Sequence, residues 1–308
     1  MQRGRLRVEP NLDSSSSSSA SDSKGDSIKK VGVIGAGAMG HGIAQSFAQA
    51  GFNVKLNDVN LDLINKGIKR IEGSLDLFVS KGKLTQSQRN ESLSRIEPSQ
   101  DLSGFSDREL VVEAALEKVD VKSELFKRLD GICSSDAILT SNTSSIPITQ
   151  LAALVSNPER VAGMHFFNPV QVMKLIEIVR AFQTSDATVR AIQTVSARLG
   201  KTPVLVSDSP GFISNRILCP MINEAIFALE EGIASKEDID TVMKLGVNHP
   251  MGPLELADFV GLDVLLDVLE VLYREYQDPK YRASPLLRKM VRAGFLGRKT
   301  KKGFYEYH

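Results

Sequence analysis

The apolar run Val31-Gly32-Val33-Ile34 breaks directly into Gly35-Ala36-Gly37-Ala38-Met39-Gly40 and is followed by a helix-like stretch, residues 41–50. Strand, glycine turn and helix in that order make the opening of a βαβ unit that cradles a dinucleotide. Gly35 allows the tight turn, Gly37 lets the backbone approach a pyrophosphate, and Gly40 lets the helix pack closely on the strand. The free N–H groups at the helix start then face the anion. A second apolar stretch, residues 53–58, ends in Asp58, 18 residues after Gly40 and placed to hydrogen-bond an adenine ribose. An aspartate there selects NAD. The 2′-phosphate of NADP would meet Asp58 at roughly 4 Å, a repulsion of about 4 kcal/mol at an effective dielectric of about 20, and no Arg or Lys follows within three residues to offset it.

The remainder of the chain alternates in the way such a unit requires. Residues 61–97 read as a helical excursion, a helix pair broken at Lys81-Gly82-Lys83 with Thr85 as the second N-cap. Strand signals return at residues 110–114, 137–141, 160–165, 175–179 and 202–206, with a helix over 121–132, which predicts a doubly wound, mostly parallel sheet. After Ser207-Asp208-Ser209-Pro210-Gly211 the pattern changes. Ile213, Ile217, Met221, Ala225 and Leu229 recur at helical spacing, Ser235 precedes Asp238 as an N-cap, and hardly a strand-like run is left before the end. The chain divides into a serine-rich, unstructured extension (1–27), a nucleotide-binding unit (28–208) and an all-helical unit (209–308).

Composition closes off several classes. Lys plus Arg is 38 against 37 for Asp plus Glu, so no overall field favours nucleic acid or a membrane surface. No apolar run approaches the ~20 residues that span a bilayer. Cys133 and Cys219 are too few for a disulfide framework or a zinc site, and no metal centre is expected. Each reads as a small buried hydrophobe. Arg3, Arg5 and Arg7 with the serines 14–19 have the flavour of an organellar leader, but Glu9, Asp13, Asp22 and Asp26 work against it, which leaves cytoplasm or mitochondrial matrix. The closing Tyr305-Glu306-Tyr307-His308 is not a peroxisomal tripeptide.

His165 stands at the end of a predicted strand, where doubly wound folds open onto their ligand crevice. Glu177 lies 12 residues on and interrupts an otherwise apolar strand, Lys174-Leu175-Ile176-Glu177-Ile178-Val179. Its carboxylate would be costly to bury without a partner such as an imidazolium. On their own, His165 also reads as a core histidine, Ser144 as a helix N-cap, and Asn215 as a polar residue at a helix start.

From about Lys29 onward the chain resembles the 3-hydroxyacyl-CoA dehydrogenase family, including the 3-hydroxybutyryl-CoA dehydrogenases. The likeness rests on the glycine motif, Val111-Val112-Glu113-Ala114, Ser141-Asn142-Thr143-Ser144-Ser145, Met164-His165-Phe166-Phe167-Asn168-Pro169, Pro210-Gly211-Phe212-Ile213-Ser214-Asn215-Arg216, His249-Pro250-Met251-Gly252-Pro253 and Gly303-Phe304-Tyr305. The resemblance implies a Rossmann-type NAD domain, a helical domain making most of a homodimer contact, and an acyl-CoA thioester in the cleft between them. It assigns His165 as the catalytic base, Glu177 as its partner, and Ser144 and Asn215 as substrate contacts. It also assigns Glu117, Lys122, Asn142 and Lys299 to NAD, and Ser74 and Lys81 to CoA. Two alternatives are a CoA-independent hydroxy acid dehydrogenase of the gulonate type and a protein that binds NAD without turnover. A lysine-dependent enzyme of the 6-phosphogluconate type is disfavoured by the His165 and Glu177 pair.

Overall fold

The computed structural model describes residues 24–308. The serine tract and the arginines before it, and with them the expected extension over residues 1–23, lie outside the described residues. Residues 24–27, which the sequence places in that extension, instead form a helical turn, α1 (Lys24–Ser27). It is held because Arg198 donates to the carbonyls of Gly25 and Ile28 at 2.6 and 2.7 Å, and the Lys24 ammonium donates to the carbonyl of Asp136.

The elements then run β1 (Lys30–Ile34), α2 (Gly40–Gln49), β2 (Asn53–Asn57), α3 (Leu61–Ser80), α4 (Gln86–Ser94), β3 (Ile96–Ser99), β4 (Leu110–Glu113), α5 (Val119–Ile132), β5 (Ile138–Ser141), α6 (Ile148–Ala152), β6 (Val161–Phe166), β7 (Leu175–Arg180), α7 (Asp186–Arg198) and β8 (Thr202–Ser207). The sheet order is β3-β2-β1-β4-β5-β6-β7-β8, and every pairing is parallel except β6 with β7. Successive strand residues alternate between two cores, as the pleat demands. Val31, Val33, Val112, Met164 and Ile178 face α2 and α7, whereas Val111, Leu139, Val161 and Val179 face α5 and α6. The central strands are buried on both sides, which is why they read as continuous apolar runs.

The helical excursion forms as α3 and α4, and Thr85 caps α4 in a reciprocal box with Gln88. One strand escaped the sequence pattern. β3 is Ile96-Glu97-Pro98-Ser99, an edge strand whose exposed glutamate and proline look like a turn and whose pairing with β2 alone makes it a strand.

Beyond β8 the chain is helical: α8 (Ser214–Glu230), α9 (Lys236–Gly246), α10 (Pro253–Val260), α11 (Leu262–Tyr276) and α12 (Pro285–Arg292). Ile222 and Ile226 of α8, Leu254 of α10, Leu265, Leu269 and Leu272 of α11 and Leu287 of α12 fill a third core. Asp258 of α10 is buried and accepts the N–H groups of Phe304 and Tyr305 at 2.9 and 2.8 Å and the Tyr307 hydroxyl at 3.1 Å, which ties the closing motif down. Burial pushes the Cys133 and Cys219 thiols up to about 11 and about 12, so both are inert packing residues. Among the described residues, no helix is long and apolar enough to cross a membrane.

Candidate active site

The strand order reverses beside β1, and the crevice opens at the carboxyl ends of β1 and β4. There Gly35 takes φ +97°, and a Cβ on Gly40 would sit 1.6 Å from the Gly35 carbonyl oxygen, so α2 starts against a turn only glycines can make. Gly37 has nothing within 4 Å of where a Cβ would stand, and its face is open to a ligand. The first turn of α2 carries neither a side-chain cap nor an acidic residue, which leaves its N–H groups to an anion. Asp58, just past β2, accepts from the Ala36 N–H and the Val59 N–H, both at 2.7 Å. Its carboxylate is therefore fastened to the glycine loop, and each oxygen keeps a lone pair for a hydroxyl. These residues fit a dinucleotide with an unphosphorylated ribose.

A buried charge network stands next to this loop. Lys122, 1% exposed, bonds both oxygens of Glu113 at 2.7 and 2.9 Å and pairs with Glu117 at 3.3 Å. Ser141 donates to Glu113 at 2.6 Å. One oxygen of Glu117 accepts from the Thr143 hydroxyl, from the Ser144 N–H at 3.0 Å and from the Ser145 N–H at 3.3 Å. Burial works to raise the Glu117 carboxyl, but the Lys122 charge and these hydrogen bonds outweigh it and hold the group below its ordinary range. Lys122 thus spends its ammonium on protein oxygens.

The proton-transfer candidates come together through strand register. β7 returns antiparallel to β6, and His165 falls directly opposite Glu177, so that 12 residues of sequence become one cross-strand pair. His165 Nδ1 lies 2.7 Å from Glu177 Oε2, with the two residues 7% and 2% exposed. Phe167 and Phe212 flank the imidazole, ring centroids 4.7 and 5.6 Å away. Burial tends to raise the Glu177 carboxyl, yet hydrogen bonds from His165 and Ser214 bring it below its ordinary range.

Asn215, the second residue of α8, donates from Nδ2 to the Ser144 carbonyl at 3.4 Å and so bridges the helical unit to the loop after β5. Ser144 is not a helix cap: α6 begins later, at Ile148, and the turn before it is built by the Thr143 hydroxyl, which accepts from Ser145 and Ile146. Asn142 uses its side-chain oxygen to accept the Phe166 N–H at 2.8 Å, bracing the residue after His165. Lys299 is placed in the helical unit, paired with Asp263 at 2.5 Å, and is not joined to the other cofactor candidates. Ser74 is half-buried on α3 and Lys81 is exposed at its end.

Sequence reading missed Ser214, which bonds Glu177 through both its N–H and its hydroxyl, and missed Glu113 as the anchor of Lys122. Ser214 lies inside a quoted motif, but nothing local says that it reaches a strand 37 residues away. The acid of Glu113 at the end of an apolar strand was a signal of the same kind as Glu177.

Comparison with known proteins agrees with this geometry. The family described as 3-hydroxyacyl-CoA dehydrogenase, NAD binding domain, matches residues 30–209, and its C-terminal domain matches residues 211–307. A probable 3-hydroxybutyryl-CoA dehydrogenase of Bacillus subtilis is 51% identical over 280 residues, covering 91% of this chain and 98% of the relative. The mitochondrial hydroxyacyl-coenzyme A dehydrogenase of Sus scrofa is 45% identical over 302 residues, 96% of each chain. The crystal structure of an (S)-3-hydroxybutyryl-CoA dehydrogenase from Ralstonia eutropha superposes with a TM-score of 0.89 at 52% identity, covering 92% of this chain and all of that one. With both domain patterns matched in order across nearly every residue from Lys30 to Tyr307, the chain belongs to the 3-hydroxyacyl-CoA dehydrogenase family.

Proposed function

We propose that the chain is an NAD-dependent (S)-3-hydroxyacyl-CoA dehydrogenase that interconverts short 3-hydroxyacyl-CoA and 3-oxoacyl-CoA thioesters in fatty acid metabolism. The observation that carries this reading is the buried His165–Glu177 pair at the crevice beside a glycine loop fastened to Asp58. A carboxylate only accepts, so the proton between the two belongs to His165 Nδ1, and Nε2 is left as the base. In oxidation Nε2 takes the proton of the C3 hydroxyl, and Glu177 balances the imidazolium that results. The nicotinamide, when bound, supplies the acceptor for the C3 hydride. Reduction uses the same atoms with His165 as the acid. Ser144 and Asn215 hold the C3 oxygen in place for transfer, and Phe167 and Phe212 keep water from the imidazole. Gly35, Gly37, Gly40, Asp58, Glu117, Lys122 and Asn142 form the cofactor side, whereas Lys299, held on Asp263 in the helical unit, stands outside this group. Ser74 and Lys81 offer a hydroxyl and a charge to the CoA portion.

The test is NADH consumption with acetoacetyl-CoA, run beside free acetoacetate and beside NADPH. Turnover is expected only with NADH and the thioester. Equal turnover of free acetoacetate would move the chain to the gulonate-type reading, and NADH binding without turnover would make it a retired enzyme.

We also propose a homodimer through the helical unit. Ile217, Val242 and Leu245 are 66%, 65% and 82% exposed on α8 and α9, large apolar side chains that a second copy would cover. Light scattering at micromolar concentration is expected to give twice the 33.6 kDa of one chain; the mass of a single chain would contradict the proposal.

A further inference from the structure

Ser214 is the first residue of α8 and follows Pro210-Gly211-Phe212, where Gly211 and Phe212 both turn through positive φ, 76° and 50°. Its hydroxyl donates to Glu177 Oε2 at 3.0 Å, the same oxygen that faces His165 Nδ1 at 2.7 Å. Its N–H donates to the other oxygen, Oε1, at 3.0 Å. Ile213 gives α8 no side-chain cap, so the Glu177 carboxylate stands in the cap's place and takes up the first N–H of the helix. A strand residue of the nucleotide-binding unit is thereby claimed from both sides.

We infer that Ser214 is a positioning residue of the proton-transfer pair: its hydroxyl shares Oε2 with the imidazole and sets how firmly the carboxylate holds the proton on His165. The inference rests on the reading of His165 as the base. Two donors on one oxygen divide its electron density, so each bond is weaker than it would be alone. Remove the serine donor, and Oε2 is left wholly to the imidazolium, which is then held more strongly. Few other groups can perturb the pair. On β8 the residue opposite Glu177 is Val204, and on α8 the Cys219 thiol is neutral. Arg216 is engaged with the Tyr276 hydroxyl, and Asp208 accepts the Thr149 N–H. Arg180 at the end of β7 pairs with Asp186. The Glu113, Lys122 and Glu117 network bonds the backbone of Ser144 rather than His165 or Glu177.

The experiment is an NMR titration of the His165 imidazole in the full chain and in the Ser214→Ala and Ser214→Thr variants. With four histidines in the sequence, a His165→Gln chain assigns the resonance. Ser214→Ala is expected to move the midpoint upward by about half to one pH unit, and Ser214→Thr, which keeps the hydroxyl, to titrate with the parent. The acid limb of kcat/KM for oxidation of 3-hydroxybutyryl-CoA should move with it, because the base works unprotonated. An unchanged midpoint in Ser214→Ala, or a loss of rate that is uniform across pH with no displacement, would overturn the inference. The NMR readout does not require turnover, so a shifted midpoint in a chain inactive on the thioester would sink the proposed activity and leave the role of Ser214 standing.

Discussion

His165→Ala is expected to lower kcat for acetoacetyl-CoA reduction by about a thousandfold, within the range that a positioned acid or base contributes, and to leave NADH affinity unchanged. The imidazole lies at the end of β6 against Glu177, whereas the glycine loop and Asp58 are held by β1, β2 and α2, so the two functions separate in space. Glu177→Gln should also lower kcat steeply, because an amide nitrogen placed against Nδ1 donates where the carboxylate accepted and shifts the ring proton to Nε2, where the base must be free. Steady-state rates beside a fluorescence titration of NADH decide the matter. Loss of cofactor affinity in His165→Ala would show that the residue holds the fold, and a rate within about tenfold of the parent would require another base.

Lys122→Met is expected to destabilise the nucleotide-binding unit by about 3–5 kcal/mol, the cost of leaving a buried ion without its partner. Glu113 is fully buried and bonded twice to Lys122, and Glu117 leans on the same ammonium. Urea unfolding followed by circular dichroism measures the loss. Adding Glu113→Gln should recover much of it, since the stranded charge is then gone; a single variant that costs under about 1 kcal/mol would mean that the pair is worth no more than a surface bridge. Acid sensitivity gives a second check. Burial opposes the Glu117 charge, but Lys122 and the hydrogen bonds keep its carboxyl below the ordinary 4.5 in the folded chain. Its contribution is present above that value and is lost as pH falls through the folded one. In Lys122→Met this part of the acid dependence should shrink.

What the sequence made legible was whatever is local. A strand followed by Gly-x-Gly-x-x-Gly has one common outcome, and Asp58 falls at the distance set by one βαβ unit, so the meeting of Asp58 with the glycine loop could be read from spacing. Helix starts at Thr85 and Ser235 were legible because an N-cap satisfies its own neighbours. β3 was not, because an edge strand with Pro98 is specified by β2 and not by its own residues. The partnership of His165 with Glu177 was suggested by the cost of burying a lone carboxylate, but its geometry needed the antiparallel register of β7. Ser144, Asn215 and Ser214 carry no local signal at all. Ser144 gains its place from the turn that Thr143 builds, and the other two are delivered by a helix that docks from the second unit.

The turn at Lys24–Ser27 lies at the amino-terminal end of β1, held there by Arg198 through the Gly25 and Ile28 carbonyls, while the crevice is at the opposite, carboxyl-terminal end of the strands. The described chain therefore enters the molecule on the far side from its chemistry.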